Sequence, residues 1–222
     1  MFRKLFALML SLGVLGVFTS GTSFASQTYE VMPFKVVKKG KRKRVVSSKV
    51  YVYVYHPVKR LIARNFRLTG STTFHGALAA GKKVKATGTL NIPVGKMVSG
   101  NVRRDSVMQA VLGVKKHPNI TFTVTGIKKL AKPVTVKSFR WNKAKRKSVK
   151  CNAIIHGTFK INGKEKKVKI KAKVKKKGKR FLAFIPNLKL KCSTFGVKRP
   201  SMGFRKINDI IHLKMFIKLN AK

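Results

Sequence analysis

Along most of this chain apolar and polar residues alternate with a period of two, as in strands that bury one face. The alternation is clearest from 149 to 161, where Val149, Cys151, Ala153, Ile155, Gly157, Phe159 and Ile161 share a face. Asn162-Gly163 then supplies a tight hairpin turn. Beyond it Val168, Ile170, Ala172 and Val174 oppose Lys167, Lys169, Lys171, Lys173 and Lys175, which predicts a strand with a lysine outer face. Lys176-Lys177-Gly178 turns the chain into a strand over 181–192, in which Pro186 cannot donate to a ladder and so marks an edge or a bulge. Upstream, Val50, Val52 and Val54 alternate with Tyr51, Tyr53 and Tyr55. Residues 71–78 read as a strand, and Val84, Ala86, Leu90 and Ile92 share one apolar phase in the next. Residues 120–125, 134–139 and 210–219 complete the set, and 29–37 is a further candidate.

The period changes once. Asn101 can cap a helix, Asp105 suits the positive end of its dipole, and Met108, Val111 and Leu112 form an i, i+3, i+4 stripe. Gly113 ends the helix and Pro118 restarts a strand that runs through Phe122. The pattern therefore predicts an all-β chain with one short α-helix.

Charge changes the picture more than composition does. The chain has 222 residues and is 44% hydrophobic, enough for one domain with its own core. Lys and Arg number 53 against 4 acids, namely Glu30, Asp105, Glu165 and Asp209. So few carboxylates, none close in sequence, argue against paired-carboxylate chemistry. No H-x-x-H, H-E-x-x-H, G-x-S-x-G or P-loop motif occurs, so neither an enzyme nor a metal or cofactor site is expected. Residues 1–25 have the three parts of a secretory signal peptide: Arg3-Lys4, an apolar run from 5 to 18, and Ser23-Phe24-Ala25. Loss of Arg3 and Lys4 lowers the formal charge from +49 to +47. The expected location is periplasmic or secreted. A charge near +47 attracts polyanions and anionic membrane surfaces. The lysines are spread over most strands and no RNP-like aromatic motif appears, which argues against specific nucleic-acid binding.

Residues 101–122 carry a resemblance. Asn101, Arg104, Asp105 and Met108, then His117, Pro118, Ile120 and Phe122, resemble the N-x-x-R-D-x-x-M helix and H/Y-P-x-I-x-F strand of the YceI-like family. The hairpin 156–170 is similar to that family's G-x-L-x-I-x-G-x-x-K-x-V-x-L segment, and Phe195-Gly196-Val197 to its D-F-G-I loop, with Thr194 in place of the acid. The resemblance implies that these strands close into a single exported, lipocalin-like antiparallel β-barrel of about eight strands with the one short α-helix, enclosing a polyisoprenoid or other lipid, a bound ligand rather than a catalytic cofactor. It covers residues 50–222, whereas 26–49, with its basic Lys38–Arg44 run, resembles the family least. The family's S-x-V/I-x-F-x-V-x-H pattern implies that Val50, Val52, Val54 and His56 face the interior, with Val52 standing where the family has phenylalanine. Val84, Ala86, Leu90 and Ile92 are expected to face them across the cavity. Arg103 and Arg104 are candidates to meet a phosphate headgroup, with solvation or pairing to Asp105 as the alternative. Asn101, Asp105, Met108, Pro118 and Phe122 are expected to be structural.

Three further expectations concern packing. The outward tyrosines call for a cover, either in a homodimer or by the N-terminal segment. Trp141, in the basic loop 140–147, is expected at a barrel rim. Cys151 and Cys192 fall on next-but-one strands, roughly 9–10 Å apart, too far for a disulfide. Two functions follow: a carrier of an apolar ligand inside the barrel, or a lysine-rich barrel that binds polyanions or an anionic membrane through its exterior.

Overall fold

Residues 26–39, 42–56, 60–202 and 205–222 are described by a computed structural model. Residues 1–25, where a signal peptide is expected, and residues 40–41 of the basic run lie outside them. The strands are β1 (Gln27–Val31), β2 (Lys35–Lys39), β3 (Arg42–Val46), β4 (Lys49–Tyr55), β5 (Arg60–Asn65), β6 (Thr69–His75) and β7 (Lys83–Pro93). After α1 (Val102–Val111) come β8 (Asn119–Lys137), β9 (Ser148–Ile161), β10 (Lys164–Lys177) and β11 (Arg180–Lys191). The short pair β12 (Ser201–Met202) and β13 (Arg205–Lys206) precedes β14 (Ile210–Ala221).

Eight antiparallel strands close the barrel in the order β1-β6-β7-β8-β9-β10-β11-β14, and β14 pairs back to β1. Inward residues form the core because each strand keeps its alternation. Ile170 and Ala172 on β10, Phe159 and Ile161 on β9, and Leu213 and Met215 on β14 are all buried, while the intervening lysines of β10 are exposed. The strand β8 joins the two segments read as 120–125 and 134–139 into 19 residues. Register shifts between Val124 and Gly126 and between Lys129 and Val134 absorb Gly126 and Pro133, which interrupt the alternation. A third shift, between Ile185 and Leu188, falls at Pro186. Gly157 has no side chain where the Phe122 ring presses on β9; a Cβ there would lie 2.5 Å from the ring.

One wall strand is interrupted. Val31 pairs with Leu219 of β14, and Lys49 pairs with Phe216, so β1 and β4 occupy successive stretches of the same edge. Between them the chain leaves the wall as the β2–β3 hairpin. Ser48 bridges the gap. Its buried hydroxyl accepts from the Lys218 N–H at 2.9 Å and donates at 3.2 Å to the Lys218 carbonyl, which also accepts from the Met32 N–H at 2.9 Å. The hairpin β4–β5 extends the wall beyond β1 and β6. It joins β14 through six paired residues, but meets the β7 side at two points: Arg64 and Val98 exchange backbone hydrogen bonds of 2.8 and 2.9 Å, and Asn65 Nδ2 donates to the Pro93 carbonyl at 2.7 Å.

The outward tyrosines are covered from within the chain. Phe139 and Trp141 fold over Tyr53 with centroids 4.8 and 5.8 Å away, and Trp141 also meets Tyr55. Tyr51 packs edge-on to Phe66 and Phe216. Trp141 thus sits on the outer wall rather than at a rim. Residues 139 and 141 cover Tyr53, Phe66 and Phe216 cover Tyr51, and Tyr55 stays largely exposed, at 49%. Burial, with the Tyr51 charge beside it, pushes the Tyr53 phenol up.

Candidate functional site

The barrel interior is hollow at the helix end. A cavity of about 650 Å³ is walled by Val50, Val52 and Val54 of β4, Leu61 and Ala63 of β5, Ile92 of β7 and Leu213 and Met215 of β14. Met108 and Val111 of α1, with Leu112 at its C-cap, form part of its roof. The helix starts where the sequence places it: Asn101 Oδ1 accepts from the Arg104 N–H at 2.9 Å, and Gly113 follows in the left-handed region at φ 68°. Below the cavity the barrel is filled. The Phe122 and Phe159 rings pack tilted with centroids 4.7 Å apart, and past a residual void of about 60 Å³ Tyr29, Phe74 and Phe181 cluster at 5.0–5.9 Å.

The lining is aliphatic inside and cationic at the mouth. Arg103, Arg104 and Lys191 reach the cavity, and no acid lines it. Asp105 does not neutralise the arginines directly. Its carboxylate accepts from the Ser99 N–H at 2.7 Å and from the Ser99 hydroxyl, while Arg104 Nε donates to that hydroxyl oxygen at 2.9 Å. Ser99 thereby holds both charges in place. Among the described residues the ion pairs are Lys160–Glu165 and Lys222–Glu30, so neither arginine is in one.

A family model for the YceI-like domain matches residues 22–219. The chain belongs to the YceI-like family. The match takes in residues 26–49 as well, consistent with β1 being a wall strand of this YceI-like barrel. Among solved structures the chain is similar to BcnA of Burkholderia cenocepacia, with 17% identity and a TM-score of 0.58 over 77% of this chain and 95% of that one. It is also similar to a polyisoprenoid binding domain from Saccharophagus degradans implicated in plant cell wall breakdown, with 12% identity and a TM-score of 0.53 over 79% and 94%. At these identities the likeness is one of fold. No curated protein sequence matches the chain.

Of the residues singled out in the sequence of this YceI-like chain, Val50, Val52, Val54, Ile92, Arg103 and Arg104 line the large cavity. Three others on β7 do not. Leu90 lines the smaller void, and Val84 and Ala86 are buried but line neither. Phase alone puts all four inside, but height separates them: Val84 lies eight residues from Ile92, roughly 26 Å along the strand. His56, at the end of β4, is buried and also lines neither space. Met108 lines the cavity as well as packing, and Asn101 lies at its mouth. Pro118 accepts the Val94 N–H at 2.8 Å, and Phe122 lines the smaller void.

The sequence reading missed β5, which brings Leu61 and Ala63 to the cavity, and Met97, Phe195 and Val197 in the loops that close it. The i, i+2 pair in Leu61-Ile-Ala63 was the available sign of β5. Cys192 also lines the cavity; burial, then the nearby Asp209 charge, pushes its thiol up to about 11, so it stays protonated at neutral pH. Cys151 is a second buried free thiol, raised by burial. The pairings Ala153–Ala172 and Val174–Ala183 put the two cysteines about nine residues apart in height, roughly 30 Å. Height separates them far more than strand spacing does.

Proposed function

We propose that this YceI-like barrel carries an isoprenoid-type or other long apolar chain in the cavity beneath α1, with a polar or anionic head at Arg103 and Arg104. The observation that carries the reading is an aliphatic hollow of about 650 Å³ whose charged lining is entirely cationic. Its volume lies within the usual range for small-molecule sites. Each buried methylene contributes about 0.8 kcal/mol, so a chain needs no specific polar contact inside to bind. A phosphate or carboxylate head would gain charge-assisted hydrogen bonds from guanidinium groups that no acid pairs. The role is binding rather than catalysis. The N-terminal segment 1–25 supports export, and the barrel then works in the periplasm or outside the cell.

Native mass spectrometry of protein purified without detergent tests this. A co-purified apolar ligand, released by organic extraction, is expected. Protein that emerges ligand-free and fails to take up a soluble long-chain fluorescent probe would remove the reading. A second reading has its own observation: the outer face of β10 presents Lys167, Lys169, Lys171, Lys173 and Lys175, all exposed, as a row suited to a polyanion. It predicts polyanion binding that cavity-filling substitutions leave unchanged.

A further inference from the structure

The mouth end exposes apolar residues that the core does not explain. Val98, Val102 and Val107 are 47%, 83% and 42% exposed, and Val107 also lines the cavity. Exposed cations lie at this end: Arg103 between the two helical valines, Lys191 on the cavity lining, and Arg199 next in sequence to the lining residue Pro200. The acids near this end are turned to other work. Asp105 is held on Ser99, and Asp209 accepts from the Ser193 N–H and hydroxyl at 2.8 and 2.7 Å.

We propose that this rim docks on an anionic lipid bilayer, so that the cavity opens against lipid. The inference rests on the carrier reading for its purpose but not for its evidence. Valines with cations beside them suit the bilayer boundary, where apolar side chains leave water and cations meet lipid phosphates. An acidic polymer would use the cations and leave Val102 in water. The lysine row of β10 is more highly charged but has alternate residues turned into the core, so it offers charge without an apolar contact. Docking at the rim would let a chain move between bilayer and cavity without crossing water.

Trp141 is the chain's single tryptophan, so Trp141→Phe with Val102→Trp gives one indole at the rim on a residue that is almost fully exposed. With vesicles of phosphatidylcholine and phosphatidylglycerol its emission should shift to the blue and be quenched by brominated lipid. The same indole at Lys171 on β10 should do neither. Charge reversal gives an independent test, because Arg103→Glu with Lys191→Glu changes the net charge as much as Lys169→Glu with Lys171→Glu. The rim pair should weaken vesicle binding about tenfold or more, and the β10 pair less than about threefold. Equal losses with no blue shift at position 102 would overturn the proposal and leave total charge as the cause. Rim reversal that abolishes retention on polyglutamate but spares vesicle binding would also overturn it, in favour of an acidic polymer. Insertion at position 102 in a protein that takes up no probe in solution would uphold docking and remove the carrier reading.

Discussion

Replacing Val52 with tryptophan separates a hollow barrel from a packed one. Val52 lies midway along β4 with Val50 on one side and Val54 on the other, all three on the cavity wall. An indole there projects into a space of about 650 Å³ rather than into neighbouring atoms. If it displaces about four methylenes of a bound chain, the loss is about 3 kcal/mol, or roughly 200-fold in Kd. Stability should change by less than about 1 kcal/mol, which in a chain of this size moves Tm by no more than about 2–4 °C. Titration with a fluorescent long-chain probe, beside a thermal melt of the ligand-free protein, reads both quantities. In a filled interior the same change would overpack and cost about 1–3 kcal/mol. A variant that melts normally and binds the probe with unchanged affinity would show that the chain does not pass Val52. A large loss of Tm in ligand-free protein would show that the interior has no room.

Three further outcomes are expected. Ser48→Ala removes the hydroxyl that both donates to and accepts from the Lys218 backbone; chemical denaturation should show a loss of about 1–3 kcal/mol. His212 has its pKa pushed down to about 4, first by burial and then by Lys189 and Arg146, so the fold holds it neutral. Its contribution is complete above the unfolded value near 6.5 and declines as pH falls towards about 4, because the unfolded chain takes up the proton first. The undiscounted limit is about 3 kcal/mol, and partial exposure reduces it to about 1–2 kcal/mol. Urea midpoints of the native protein should therefore fall between pH 6.5 and 4 more steeply than those of His212→Gln; parallel curves would refute the assignment. Finally, denatured, unreduced protein should titrate two free thiols for Cys151 and Cys192; finding none would mean the two had been brought together.

The parts of this barrel legible in the sequence are those governed by local rules. Asn162-Gly163 turns β9 into β10, Pro186 falls at a bulge, and Asn101 caps α1, each set by the chemistry of one or two residues. The family itself was legible in the helix and strand motif from Asn101 to Phe122. Long-range geometry was not. Alternation assigns Val84 and Val52 the same inward direction but carries no measure of height, so the wall of the cavity and the filled end of the barrel read alike. The interruption of the wall strand by the β2–β3 hairpin was hidden too. Its bridging group is a serine hydroxyl meeting Lys218, 170 residues away. The cover over Tyr53 comes from Phe139 and Trp141, whose aromatic content was visible but whose destination depends on the closed sheet.

The one-sided attachment of β4–β5 has a consequence for motion. A full ladder ties this hairpin to β14, whereas the reciprocal Arg64–Val98 pair and the Asn65 side-chain bond to Pro93 are the hydrogen bonds that tie it to the β7 side among the described residues. Segments open independently when few bonds must break, and their amides then exchange at low free energy. In hydrogen exchange the amides of Arg64 and Val98 should therefore lose protection together and well before those of β8–β9, where long ladders run through the middle of the sheet. Such an opening would part the wall lengthwise beside Leu61 and Ala63, widening the entrance sideways while the rest of the cylinder keeps its shape.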